Sequence, residues 1–209
     1  MCGCKDGEKS PAASGSPETV VSPETVVSQP AAALPAKPAA DTGALDSDLA
    51  AKITFASREE IEKLLQQGAK PGAKDRYGLP LLFTAAKRGE AGIVDLLIKA
   101  GARVNDSVGA SYNDDGVGYS GTTDGTPLGY AAGAGKLAAM ETLRNAGADL
   151  NGAGPGGTTP LMQAAESGQL EAVNWLLRNG SGAGRDKAIE ISRRFSGSEN
   201  HKKIYEALK

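Results

Sequence analysis

The sequence predicts an all-α solenoid of helix-turn-helix units with β-hairpin or loop fingers, preceded by a disordered N-terminal tail. Three observations carry this. The phrase AAKRG at 85–89 returns as AAGAG at 131–135 and as AAESG at 164–168. Twelve residues after each closing glycine stands another, Gly101, Gly147 and Gly180. Between these marks Leu, Ile and Ala recur at helical spacing, the signature of units that bury an apolar face only by stacking on neighbours.

The second and third phrases start 33 residues apart and the first and second 46, so one repeat length serves throughout with 13 residues inserted. Connector lengths place the insertion. Ala69 to Pro80 and Ala148 to Thr159 each span 11 residues, but Ala102 to Thr126 spans 24. The extra chain therefore falls within 106–123, in the turn joining one helix pair to the next.

Local chemistry justifies each element in order. Ser57-Arg-Glu-Glu60 is a capping box that opens a helix through Ile61, Leu64 and Leu65 to Gly68-Ala69, one repeat before Gly101. In the middle units a threonine precedes a proline, Thr126-Pro127 and Thr159-Pro160, with Pro80-Leu81 in that place earlier. The threonine hydroxyl caps a free amide, and proline suits the first turn, where its missing N–H costs nothing. Paired alanines allow close helix approach, the following glycine reverses the chain, and a Leu-rich second helix fills the seam. Residues 187–192 read as a degenerate first helix, and 201–208 as a polar-faced last one. The resulting plan is a tether over 1–44, a partial capping unit over 45–74, full units over 75–105, 124–151 and 156–180, and a C-terminal cap over 184–209.

The stretches DGTPLGYAAGAGKLAAMETLRNAGADLN at 124–151 and GGTTPLMQAAESGQLEAVNWLLRNG at 156–180 resemble the ankyrin repeat, with its TPLHxAA, central glycine and LLxxGADxN positions. DRYGLPLLFTAAKRGEAGIVDLLIKAGARVN at 75–105 follows the same pattern. Gly129 stands where that family usually has His, and Arg144 at a normally apolar position, departures expected to weaken the middle repeat. The resemblance implies a non-catalytic, monomeric protein-protein interaction module without cofactor, offering its fingers and first helices as a concave surface. Candidate partner-binding residues are Tyr112, Asp114, Asp115 and Tyr119 in the insertion, with Phe83, Arg88, Tyr130 and Gln163 on the helical face.

Other chemistries find little support. With 23 Lys plus Arg against 25 Asp plus Glu there is no basic field to draw nucleic acid. No run approaches the roughly 18 apolar residues of a membrane span. A single histidine, His201, read as a solvated residue of the terminal helix, leaves almost no metal or triad chemistry. Gly116-Val-Gly-Tyr-Ser-Gly121 has dinucleotide-loop spacing but lacks the strand before and helix after that such a loop requires. GAGKL at 133–137 lacks the leading glycine and trailing Ser or Thr of a phosphate loop. Asp106, Asp114, Asp115 and Asp124 carry calcium-type oxygens without the alternating spacing or closing Glu. An enzyme or a calcium-binding protein built on 106–124 remains the opposing reading, and a cytosolic repeat scaffold a further one.

Residues 1–44 hold six prolines, no aromatic residue and a tandem SPETVV duplication at 16–27, a composition that cannot offset its chain entropy by burial. The opening Met-Cys-Gly-Cys resembles the end of a bacterial lipoprotein signal. That resemblance implies lipid attachment at Cys4, with Cys2 as the alternative, and a location in the bacterial periplasm or envelope. A cytosolic start with two exposed thiols and a palmitoylated eukaryotic N-terminus are the other readings of the same residues.

Overall fold

The computed structural model describes residues 42–109 and 124–209. Among these residues ten α-helices form five consecutive pairs: α1 Thr42–Lys52 with α2 Arg58–Gln66, α3 Leu81–Arg88 with α4 Ala91–Lys99, and α5 Pro127–Gly133 with α6 Leu137–Asn145. The remaining pairs are α7 Pro160–Glu166 with α8 Leu170–Arg178, and α9 Arg185–Arg194 with α10 Glu199–Leu208. First helices α3, α5, α7 and α9 pack in one row, and second helices α2, α4, α6, α8 and α10 in another. One boundary moves. The tether was expected to reach residue 44, whereas α1 already begins at Thr42.

The helix starts use the chemistry read from the sequence. The Ser57 hydroxyl accepts from the Glu60 amide while the Glu60 carboxylate accepts from the Ser57 amide, completing the capping box. Thr126 caps α5 through the Gly129 amide and Thr159 caps α7 through the Met162 amide, each with proline next in line. Pro80 has no side chain to cap α3, and none is made there.

The core is continuous from Leu49 to Leu208, and the alanine pairs Ala85-Ala86, Ala131-Ala132 and Ala164-Ala165 are buried at its centre. The inter-helix glycines have a second duty besides their left-handed backbone. A Cβ on Gly89 would lie 2.6 Å from the Lys136 side chain, one on Gly135 2.5 Å from Gln169, and one on Gly168 3.0 Å from His201. Each repeat thus lays a long side chain across the bare glycine of the one before it. This corrects the reading of His201 as a solvated residue: its Nε2 lies 3.3 Å from the Glu166 carbonyl oxygen, and its Nδ1 is buried.

Arg144 departs from the family pattern without entering the core. Its exposed guanidinium bonds Glu141 at 2.6 Å and the Asn179 side chain, and lies 5.8 Å above the Trp175 ring. The second-helix seam is correspondingly uneven, with Leu176 fully buried and Leu177 only partly so. Leu176→Ala should cost about 2–5 kcal/mol in denaturant unfolding, and Leu177→Ala clearly less. Equal losses at the two positions would contradict this seam.

Candidate functional site

Finger loops carry backbone amides that no helix satisfies, and buried or crowded amides left unpaired are costly. The first finger solves this internally. Asp75 Oδ1 accepts from the Tyr77 amide at 2.9 Å and the Leu79 amide at 3.0 Å, while Oδ2 accepts from the Thr84 hydroxyl at 3.2 Å. A backbone bridge between Lys74 and Pro80 closes the loop around it.

The third finger has no such carboxylate, because Gly154 occupies the place that Asp75 holds relative to its helix. The two amides corresponding to Tyr77 and Leu79 are Gly156 and Thr158. They donate instead to Asp124 of the preceding finger, Gly156 to Oδ1 at 2.8 Å and Thr158 to Oδ2 at 3.0 Å. A Cβ at Gly154 would sit 2.3 Å from Asp124 Oδ1, so glycine there is what admits the visiting carboxylate. Partial burial works against the Asp124 charge, but hydrogen bonds from Gly156 and Thr158 outweigh it and hold the carboxyl below its ordinary 3.8.

Asp124 is also held by its main chain. Its carbonyl oxygen accepts from Gln163 Nε2 at 3.1 Å. Next to it Gly125 and Val108 exchange two backbone hydrogen bonds of 2.9 Å, which closes the base of the finger that carries the insertion. The Pro155 ring of the third finger lies against Gly109 on the other side of that base. The insertion therefore leaves and rejoins the scaffold at fixed points, both tied to the following repeat.

The helical face proves to be a packed seam. Phe83 is fully buried, Tyr130 is 8% exposed and Gln163 2%. Phe83 and Tyr130 meet edge to face at 5.2 Å, and Gln163 fills the space above Gly129, where a Cβ would fall 1.7 Å from its Oε1. These three side chains shape the wall and are not presented on it, which corrects their placement on an open binding surface. Arg88 is half-withdrawn too, since its guanidinium bonds the Ile53 carbonyl oxygen and Glu90. Gly129 is thus matched to Gln163, and its departure from histidine is a fit between neighbours.

Tyr112, Asp114, Asp115 and Tyr119, and with them Cys2 and Cys4, lie outside the described residues. What sequence reasoning missed is the exposed aromatic of the first finger, Tyr77, 52% exposed with Arg76 placed 5.5 Å above its ring. It also weighed Asp124 as a calcium ligand, whereas both its oxygens serve amides. Only the register of Gly154 against Asp75 signalled this.

Two pH limits follow. Asp124 has a depressed carboxyl, so its contribution is complete above 3.8 and is lost as pH falls through its lower folded value. Asp124→Asn should lower neutral-pH stability by about 1–3 kcal/mol and flatten the acid limb of a Tm-against-pH curve. Tyr130 is pushed up to about 12 by burial, then by the charges of Asp124 and Asp75, so its contribution is complete below 10.0 and lost as pH rises toward 12. Tyr130→Phe should remove that alkaline limb; a curve unchanged from wild type would contradict the assignment. Gly129→His, although it restores the family's usual residue, should cost about 1–3 kcal/mol by displacing Gln163.

Comparison with known proteins agrees with this architecture. The family model for ankyrin repeats (3 copies) matches residues 49–151 and 108–187. The chain is also similar to the ankyrin repeat and KH domain-containing protein mask-1 of Caenorhabditis elegans, 34% identical over 122 residues. That alignment covers 57% of this chain and 4% of the relative, so this chain spans a small part of that protein's length. Stacked helix pairs, threonine-proline helix starts and fingers joined repeat to repeat are thereby accounted for together: the chain belongs to the ankyrin-repeat family, and its repeats form a protein-protein interaction module.

Proposed function

We propose that this chain acts without catalysis, as a membrane-tethered interaction module that supports or inhibits a partner protein in a bacterial envelope, with the enlarged finger as its principal contact. The observation that supports the finger is the construction of its base. The Val108–Gly125 bridge and the three-point hold on Asp124 fix both ends of the added chain. Thirteen residues beyond the common connector are unnecessary for stacking, and loops extended from a rigid scaffold are frequent carriers of recognition. Tyr112 and Tyr119 would supply apolar area at modest entropic cost, and Asp114 and Asp115 would steer toward a basic patch.

The tether reading rests on Met-Cys-Gly-Cys followed by a proline-rich segment. Cys4 is the proposed lipid-bearing residue, and the partner then lies within the reach of the tail above the membrane surface.

Removing 13 residues within 107–123, with Val108, Asp124 and Gly125 retained, should leave the melting midpoint within a few degrees. Crosslinking capture of the partner from native extract should fall about tenfold, or 1.4 kcal/mol. Undiminished capture would reduce the finger to a tolerated insertion. Metabolic labelling with an alkyne fatty acid should mark the wild type and not Cys4→Ser. Label retained in that variant would refute Cys4 as the attachment point.

A further inference from the structure

Two junctions between repeats share an asparagine whose Oδ1 accepts from loop amides of the next repeat, and the first of the two also donates to a loop carbonyl oxygen. The asparagine that follows the second helix of one repeat reaches across to the loop of the next. Asn105 donates from Nδ2 to the Gly147 carbonyl oxygen at 3.0 Å and accepts at Oδ1 from the Asp149 amide at 2.8 Å. One repeat on, Asn151 Oδ1 accepts from the Gly182 amide at 3.0 Å, the group in the same register as Asp149, and from the Ala183 amide at 3.0 Å. In both places the side-chain carboxamide satisfies loop groups that the helices leave over.

The first junction lacks it. Counting back one repeat from Asn105 gives Gly72, and the groups corresponding to Gly147 O and Asp149 N–H are Gly101 O and Arg103 N–H. Among the described residues no hydrogen bond is made to either group. A pocket of about 310 Å³ opens at this point, lined by Gly72, Gly101 and Arg103 together with Pro80, Leu82 and Asp106. The pocket lies where the third asparagine side chain would be.

We propose that this pocket is a binding site for a primary carboxamide, the side chain of an asparagine or glutamine on a bound protein. The donor-acceptor pair is preset by the backbone. An incoming carboxamide would accept from Arg103 N–H and donate to Gly101 O, the arrangement that Asn105 makes at the next junction. Pro80 and Leu82 cover its aliphatic stem. A carboxylate would find the amide but would face the Gly101 oxygen with no proton to offer, and an aliphatic side chain would satisfy neither group. The site lies beside the first finger, so it adds a contact to the interaction reading above, but its test needs no partner and no lipid.

The test is a nuclear magnetic resonance titration of the full chain with N-acetylasparagine methylamide, using the aspartate and leucine analogues as controls. The asparagine probe should shift the Arg103 amide saturably at millimolar concentration, and each control should bind about tenfold or more weakly. The Asp149 and Gly182 amides, already engaged by Asn105 and Asn151, should stay still. Gly72→Asn builds the clamp from within, and a Cβ there meets nothing within 4 Å. In that variant the Arg103 amide should start near its bound position, the titration should be lost, and the melting midpoint should rise. Arg103→Ala keeps the backbone amide and should keep the response. Equal shifts with all three probes, no shift at Arg103, or a Gly72→Asn protein that still responds would each overturn the proposal.

Discussion

The stack depends on oxygen atoms from side chains that satisfy loop amides between helix pairs. Helices satisfy themselves, and apolar seams pack wherever small and large residues alternate, but a finger loop has several N–H groups and no ladder to receive them. Asp75 serves its own loop, Asp124 serves the next finger, and Asn105 and Asn151 each join two repeats. Each such bond contributes only about 0.5–3 kcal/mol, with those to a carboxylate at the upper end. That is enough to matter in a solenoid, where each unit is stabilised mainly by its nearest neighbours.

The insertion and Gly154, which stands in the third finger at the place of Asp75, belong together. Asp124, the first described residue after the insertion, reaches forward to amides that Gly154 has left free. Gln163 adds a bond to the same residue's carbonyl and takes the volume that Gly129 leaves. Three apparent weaknesses in the repeat pattern, Gly129, Gly154 and a buried glutamine, compensate for one another. A homologous repeat could not be exchanged for one of these units without breaking that match.

The repeat length, the helix pairs and the helix caps were legible in the sequence, because they rest on one-dimensional spacing and on residue types with a single strong preference. Thr126 and Thr159 before proline, the alanine pairs and the Ser57–Glu60 box each state their role locally. Burial along the first-helix face was not legible. Phe83, Tyr130 and Gln163 were read as surface because ankyrin repeats commonly use that face, yet Phe83 and Tyr130 close each other off and Gln163 settles over the bare Gly129. Pairings across 33 residues leave a signal only when two repeats are set in register and compared residue by residue. The same comparison, applied to Gly72, exposes the unfilled clamp.

In this stack a carboxylate from one finger satisfies the amides of the next. Hydrogen exchange of individual backbone amides tests it most directly, with wild type set against Asp124→Ala at neutral pH. Protection at Gly156 and Thr158 should fall sharply in the variant while Tyr77 and Leu79, which bond Asp75, keep theirs. Unchanged protection at Gly156 and Thr158, or an equal loss in both fingers, would contradict it.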